Sequence, residues 1–462
     1  MSDYTIAAVA TPLGEGGIGI VRLSGPDALT IADQMFQRKD GKKLRELPTY
    51  QLRYGKVVDP KTGRKLDEAL AVVMRAPHSY TAEDVVEIQC HGGVVVVREI
   101  LALAVELGAK PAEPGEFTKR AFLNGRLDLS QAEAVIDIIQ SQTRLGLEVA
   151  VDQLEGSLSS RIKDMQERLY QITVQVEVSI DFPEEDLPEA DLEQIERDLV
   201  LTIDELSTLL ATADDGKILR EGLKTVITGK PNVGKSSLLN TLLDENRALV
   251  TDIPGTTRDT IEEVVNLQGV ALRLIDTAGI RQSSDVVEQL GVARSLELLQ
   301  EADLVLHVLD RSVTLTEEDF AVIERTKGMK RILLINKVDL PQVWDVKDLG
   351  ELDCPVLEIS LLEERDAVVH NLATCIFDLL GTGGLQSSAG SRALLTRTRH
   401  KQALTDARRS LEEALKTLQA GLPLDLMAVD LYNGLEHLGE ITGETVRENV
   451  LDRIFAQFCI GK

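Results

Sequence analysis

Eight residues, Gly229-Lys230-Pro231-Asn232-Val233-Gly234-Lys235-Ser236, fit the pattern G-x-x-x-x-G-K-[ST] and stand between an apolar run and a segment of helical spacing. Glycines in such a loop let backbone N–H groups wrap a phosphate, and the following helix adds its positive end. Lys235 is expected to neutralise β/γ-phosphate charge, and the Ser236 hydroxyl to ligate Mg2+. Asn232, Val233, Gly234 and Ser237 complete the expected contacts. A second group, Asp276-Thr277-Ala278-Gly279, also closes an apolar run. There Asp276 can hold magnesium through water, while the Gly279 N–H senses a γ-phosphate. A third, Asn336-Lys337-Val338-Asp339, ends another. The Asp339 carboxylate can accept both N1–H and the 2-amino hydrogens of guanine, with Asn336 bracing the loop and Lys337 over the ring. Adenine has no such donor pair, and an unpaired buried acceptor penalises it. The three groups in this order predict GTP binding and hydrolysis.

Hydrolysis needs an oriented water, and the residue after D-x-x-G is Ile280, which cannot hydrogen-bond one. Glu288 is the best nearby candidate to do so, with Asp285 second. No arginine is identifiable as a charge donor to the transition state. The loop Thr251, Asp252, Ile253, Pro254, Gly255, Thr256 and Thr257 is expected at the nucleotide, with Thr257 as second Mg2+ ligand. Asn232 carries a side-chain carbonyl, which could join backbone carbonyls of 251–256 around a monovalent cation, putting charge where an arginine otherwise acts.

These residues need elements to hold them. Residues 223–228, 271–275, 304–309 and 331–335 read as apolar strands alternating with helices, which implies a mostly parallel sheet flanked by helices. A Gly/Ser-rich stretch, 381–391, ends that region. Before it, Val151, Leu154, Leu158, Ile162, Met165, Leu169, Ile172 and Val176 recur as one stripe of a long helix. Leu192, Ile195, Leu199, Ile203, Leu206 and Leu210 repeat the pattern after an acidic, Pro-containing break. Helical spacing resumes with Leu404, Ala407, Leu411, Leu415 and Leu418, so the nucleotide domain is expected as an insertion in a helical bundle. The first 118 residues mix strands (17–23, 84–90) with helices (26–37, 94–107). The expected division is 1–118, an α+β domain; 119–218 and 384–462, two parts of an all-α helical bundle domain; and 219–383, an α/β P-loop domain of Ras-like type.

Composition narrows the setting. The chain has 462 residues, 43% of them hydrophobic, and a formal net charge of −26. So acidic a chain cannot attract a polyphosphate by its overall field, and RNA contact requires a local basic patch. Arg392, Arg397, Arg399, Lys401, Arg408 and Arg409 form one candidate; the same residues could equally pair with the acidic helices 181–205. No apolar run nears the roughly 18 residues of a membrane span, and the start lacks a secretory signal. Four scattered cysteines, without a C-x-x-C pair, fit a reducing cytoplasm.

The long segment Pro114-Gly115-Glu116-Phe117-Thr118-Lys119-Arg120-Ala121-Phe122-Leu123-Asn124-Gly125-Arg126-Leu127-Asp128-Leu129-Ser130-Gln131-Ala132-Glu133-Ala134 resembles the signature of the MnmE/TrmE family of tRNA-uridine modification GTPases. Ala10-Thr11-Pro12 with Gly16-Gly17, and the terminal Phe458-Cys459-Ile460-Gly461-Lys462, resemble it too. The resemblance spans essentially the whole chain. It implies an N-terminal domain similar to folate-binding domains that forms a homodimer, with a GTPase domain inserted in a helical one. It implies a flavin-dependent partner, MnmG/GidA, with which a carboxymethylaminomethyl-type group is placed at C5 of the wobble uridine of tRNA. It implies K+ coordinated by Asn232, Thr251, Ile253 and Thr256, with Glu288 positioning the water. Finally, it implies 5-formyltetrahydrofolate or a related one-carbon derivative at Arg22, Glu87, Arg126 and Lys462, and a reactive Cys459.

Chemistry supports part of the folate set, since arginines suit a glutamate tail and Glu87 a pterin amino edge; singly, each type is more often a surface charge. A lone cysteine is likewise most often a small buried apolar residue. The chain departs from the family's last guanine loop, Ser-Ala-x, where it reads Ser360-Leu361; a backbone N–H to guanine O6 needs no particular side chain there. Without the resemblance, a ribosome-assembly or signalling GTPase would account for 219–383, and a folate-dependent transferase regulated by GTP for the N-terminal residues.

Overall fold

The computed structural model describes residues 3–181, 191–246, 263–275, 299, 301–363, 365–380 and 393–462. They group into two compact units: Met1–Ile136 with Ile162–Val174 and Ala428–Lys462, and Asp137–Arg161 with Gln175–Met427.

The first unit is built on a seven-stranded sheet of β1 (Ile6–Val9), β2 (Gly19–Ser24), β3 (Phe36–Arg38), β4 (Arg53–Val58), β5 (Lys65–Met74), β6 (Val85–Cys90) and β7 (Lys110–Pro111). The order is β3-β4-β5-β6-β2-β1-β7, antiparallel except for β1 with β7. Strand alternation sorts the side chains. Val21, Leu23, Val86 and Ile88 turn to a core closed by the helices Ala28–Met35 and Val94–Glu106. Arg22 and Glu87 therefore point to the opposite face, directly across from each other in the register. On that face Ile6 and Ala8 pack with Phe117 and Tyr80. The helix read over 26–37 stops at Met35, because Phe36 is worth more as a buried strand residue paired with Val57.

The second unit carries a six-stranded sheet of β8 (Leu223–Thr228), β9 (Glu263–Leu267), β10 (Val270–Leu274), β11 (Leu304–Asp310), β12 (Arg331–Asn336) and β13 (Val356–Glu358), in the order β13-β12-β11-β8-β10-β9. Only the β9–β10 hairpin is antiparallel. Central strands buried on both faces are mainly apolar, as β11 and β12 are apart from His307 and the polar residues at their ends. Helices Arg144–Leu154 and Ala213–Glu221 bring Leu145, Val149, Ile218 and Leu219 onto the same core.

The stripe from Val151 to Val176 is not one helix. It divides into Arg144–Leu154 and Ser157–Asp181 at Gly156, whose φ of +94° no side chain adopts readily. The stripe residues Leu158, Ile162, Met165, Leu169, Ile172 and Val176 are buried, whereas Val151 is exposed. One carboxylate ties the two crossings into the sheet region. Asp137 Oδ1 accepts from Arg220 Nε at 3.0 Å, just before β8, and from Arg397 Nη2 at 2.7 Å, at the start of the helix Thr398–Gln419. Both arginines would otherwise be costly to bury unpaired.

The basic segment is thus paired at several points: Arg397 with Asp137, Lys401 with Asp214, Arg408 with Glu412 and Arg409 with Asp406. Its helix packs against Leu192–Leu210, and Gln419 reaches Glu196 at 2.7 Å. These charges are dispersed along a paired helix, and Arg392 lies outside the described residues. Among the described residues no helix is long and apolar enough to cross a membrane.

Candidate functional site

The phosphate loop is the connection between β8 and the helix Lys235–Asn246, which is anchored in the core by Leu238, Leu239 and Leu242. That anchoring leaves Ser236 and Ser237 exposed on its first turn. Gly234 has φ +113°, and a Cβ there would lie 2.2 Å from Asn336 Nδ2, so glycine is obligatory. The close approach has a purpose, because Asn336 Nδ2 donates to Val233 O at 2.8 Å and fixes the crest of the loop. The Lys235 ammonium donates to Gly229 O at 2.7 Å and Lys230 O at 2.6 Å. Its charge is seated on neutral carbonyls within its own loop. Asn232, exposed, holds φ +62°, a left-handed conformation that asparagine tolerates.

The base-reading residues follow β12. Lys337, at φ +64°, sends its ammonium to Asn232 O at 3.0 Å and to Asp310 at 2.6 Å. That second partner, the last residue of β11, holds its own carboxyl below the usual range through the Lys337 and Ser312 hydrogen bonds, which outweigh burial. Asp339 Oδ1 accepts from Ser360 Oγ at 2.7 Å, orienting the carboxylate that would read guanine. Leu361, in place of the family's alanine, is 4% exposed and packs in the core beneath Gly234. Its N–H faces Asn336 Oδ1 at 3.4 Å. The leucine side chain thus supports the phosphate loop from below. Among the sequence-derived residues, Asn232, Val233, Gly234, Lys235, Asn336, Lys337, Asp339 and Ser360 are linked by these contacts. Thr251, Asp252, Ile253, Pro254, Gly255, Thr256, Thr257, Asp276, Thr277, Ala278, Gly279, Asp285 and Glu288 lie outside the described residues.

The N-terminal set also converges. Arg22 Nε meets Glu87 Oε1 at 2.8 Å, the two side chains 14% and 15% exposed. Arg22 Nη1 donates to Gly461 O at 3.3 Å and lies over the Tyr80 ring, 5.5 Å from its centre. Arg126, exposed, lies over the same ring at 5.0 Å and donates to Tyr80 O at 2.9 Å. Burial, and next the neighbouring Arg22, lower the pKa of Lys462. Tyr80, raised in pKa chiefly by burial, shares a hydrogen bond with Thr118 at 2.8 Å. Arg22 and Arg126 thus share one tyrosine, and Glu87 and Lys462 join the group through Arg22. The tyrosine's position was not marked in the sequence, because nothing local distinguishes Tyr80 from a core aromatic.

The long signature has a structural office here. Arg120, 2% exposed, joins Glu83 at 3.0 Å and Glu116 at 2.9 Å; Glu116 in turn accepts from Tyr4. Pro114 bridges Ile460, Gly115 N donates to Cys459 O at 3.4 Å, and Lys119 pairs with Asp452 at 2.6 Å. These contacts lace the C-terminal peptide down and carry Lys462 to Arg22. Cys459 itself is exposed.

Two family models match: the MnmE helical domain over residues 129–459, and the GTP-binding protein TrmE N-terminus over residues 5–126. The chain is 51% identical to the tRNA modification GTPase MnmE of Geobacillus thermodenitrificans, over the whole of both chains. It is 49% identical to that of Alkaliphilus oremlandii, over 100% of this chain and 99% of the other. On the strength of these matches over its whole length, this chain belongs to the MnmE family of tRNA modification GTPases and is a GTP-binding, GTP-hydrolysing enzyme.

Proposed function

We propose that the chain, as a homodimer joined through its N-terminal domain, works with the flavoprotein MnmG/GidA on tRNA in the cytoplasm. The product is a carboxymethylaminomethyl-type group at C5 of the wobble uridine, its one-carbon unit coming from 5-formyltetrahydrofolate or a related derivative. The observation that carries this reading is the cluster of Arg22 and Arg126 over Tyr80 with Glu87 and Lys462 beside Arg22, in a chain that also holds guanine-nucleotide loops. Its chemistry suits a folate: cationic groups for the glutamate carboxylates, an aromatic ring for the pteridine, and a carboxylate for the amino edge. Exposed Tyr54 and Leu70, directly across from each other on the N-terminal sheet, with exposed Tyr50 and Leu52 in the loop before β4, support self-association through that domain.

In the same reading Ser236 and Thr257 hold Mg2+. Asn232 with Thr251, Ile253 and Thr256 holds K+, and Glu288 orients the attacking water. The exposed crest position of Asn232 and the first-turn position of Ser236 support the cation assignments. The domain division at 118, 218 and 383 belongs to this proposal. Mass spectrometry of wobble uridines from cells lacking the gene should show the C5 group missing; an unchanged modification overturns the reading. Equal hydrolysis rates in Na+ and K+ would remove the potassium part alone.

A further inference from the structure

Two carboxylates lie beside the phosphate loop on the stretch that begins with β11. Asp310 holds Lys337, as described, and Asp319 holds Lys230, the second residue of the glycine-rich motif, in an ion pair whose side chains are 6% and 21% exposed. Asp319 is doubly committed. Its Oδ2 accepts from Thr316 N at 2.8 Å and Thr316 Oγ1 at 3.4 Å, capping the helix Glu317–Arg325. The carbonyl of Lys230 is one of the two seats of the Lys235 ammonium. A rigid helix end thus grips the residue that positions the phosphate-binding lysine. Another basic group near Asp319, His307, is fully buried, and burial lowers its pKa to about 4, so it stays neutral and does not compete with Lys230.

We infer that Asp319 is a positioning residue for GTP: acting through Lys230, it fixes the backbone at 229–230 on which Lys235 rests. Lys230 stands at an unspecified position of the motif, and no nucleotide motif includes Asp319. The pair therefore tunes ground-state nucleotide binding more than turnover of bound GTP.

The test uses the full-length chain with mant-GDP for affinity and steady-state GTP hydrolysis for rates. Asp319→Asn keeps an acceptor for the cap but loses the charge; Lys230→Met removes the partner from the half-buried loop and leaves the helix cap intact. Each is expected to weaken mant-GDP about fivefold, as loss of one partly buried ion pair would. KM for GTP should rise in step while kcat stays within about twofold, the mark of lost uniform binding. The double variant should be no worse than either single one, and Lys230→Arg should retain parental affinity. Unchanged affinity in Lys230→Met, additive losses in the double variant, or an equal fall in kcat would each overturn the inference. Lys230→Met with Lys230→Arg decides the matter even where Asp319→Asn fails to fold.

Discussion

In the phosphate loop the Lys235 ammonium rests on backbone carbonyls of nearby residues; in the N-terminal cluster the Arg22 guanidinium rests on side chains gathered from across the chain. Lys235 sits on Gly229 O and Lys230 O, six and five residues away. Arg22 sits on Glu87, over Tyr80, and against the carbonyl of Gly461, 439 residues away. A neutral carbonyl can be exchanged for a phosphate without stranding a charge. The Arg22–Glu87 pair cannot be broken so cheaply, because a half-buried carboxylate is left behind. One site is built to receive a charge from solution, and the other arrives already balanced and takes its ligand around a standing ion pair.

The strongest test of this contrast is Gly234→Ala. The added Cβ would collide with Asn336 Nδ2, at 2.2 Å, in a backbone conformation alanine avoids. Mant-GDP affinity should fall by roughly 100-fold, with folding of the N-terminal unit unchanged. A paired substitution sharpens it further. Arg22→Ala should destabilise the N-terminal unit by about 2 kcal/mol with no ligand present, since Glu87 loses its partner. Lys235→Ala should shift thermal unfolding by no more than about 0.5 kcal/mol while abolishing nucleotide binding. Equal destabilisation by the two would erase the distinction.

His307 offers a pH handle on the parallel sheet alone. Burial lowers its folded pKa to about 4, so the unfolded chain binds more protons between that value and the ordinary 6.5. Stability conferred by the neutral imidazole is full above pH 6.5 and drains away as pH falls toward 4. Between pH 7 and pH 5 the loss from this residue is about 2 kcal/mol. Denaturant unfolding followed by Trp344, the single tryptophan and buried in that region, should show it, and His307→Met should flatten the slope. In the other unit, Lys462 has a lowered pKa, so it loses its proton at lower pH than a free lysine. Affinity for a carboxylate-bearing folate should therefore fall as pH rises through that value, and Lys462→Met should remove the dependence. Smallest of all, Leu361→Ala, which restores the family's residue, should weaken mant-GDP about threefold, because it empties the packing beneath Gly234. Tighter binding would show that the leucine is a handicap.

The nucleotide site was legible because its chemistry needs consecutive residues. A backbone wrapped around phosphates, and a carboxylate at the end of a strand, are local requirements, so Gly229 to Ser236 and Asn336 to Asp339 announce themselves. The strands that carry them were legible too, as mainly apolar runs. Other things depended on partners the chain itself does not mark. A glycine at 156 could be a tolerated helix residue or a break, and only packing made it a break. A run of arginines and lysines at 397–409 has no partners marked in the sequence, and only the fold shows Arg397 on Asp137, Lys401 on Asp214, Arg408 on Glu412 and Arg409 on Asp406, none of them in the acidic helices 181–205. Arg22, Glu87, Arg126 and Lys462 could be chosen only by resemblance, since singly each is an ordinary surface charge. By itself, then, the sequence determined the nucleotide, the reaction and the order of elements. The tertiary structure decided that Tyr80 stands at the centre of the N-terminal cluster, that the signature Pro114–Arg120 fastens the chain's end beside Arg22, and that Asp319 grips the phosphate loop. The physical reason is distance along the chain: a contact between residues far apart in sequence leaves no periodicity or motif until folding brings them together.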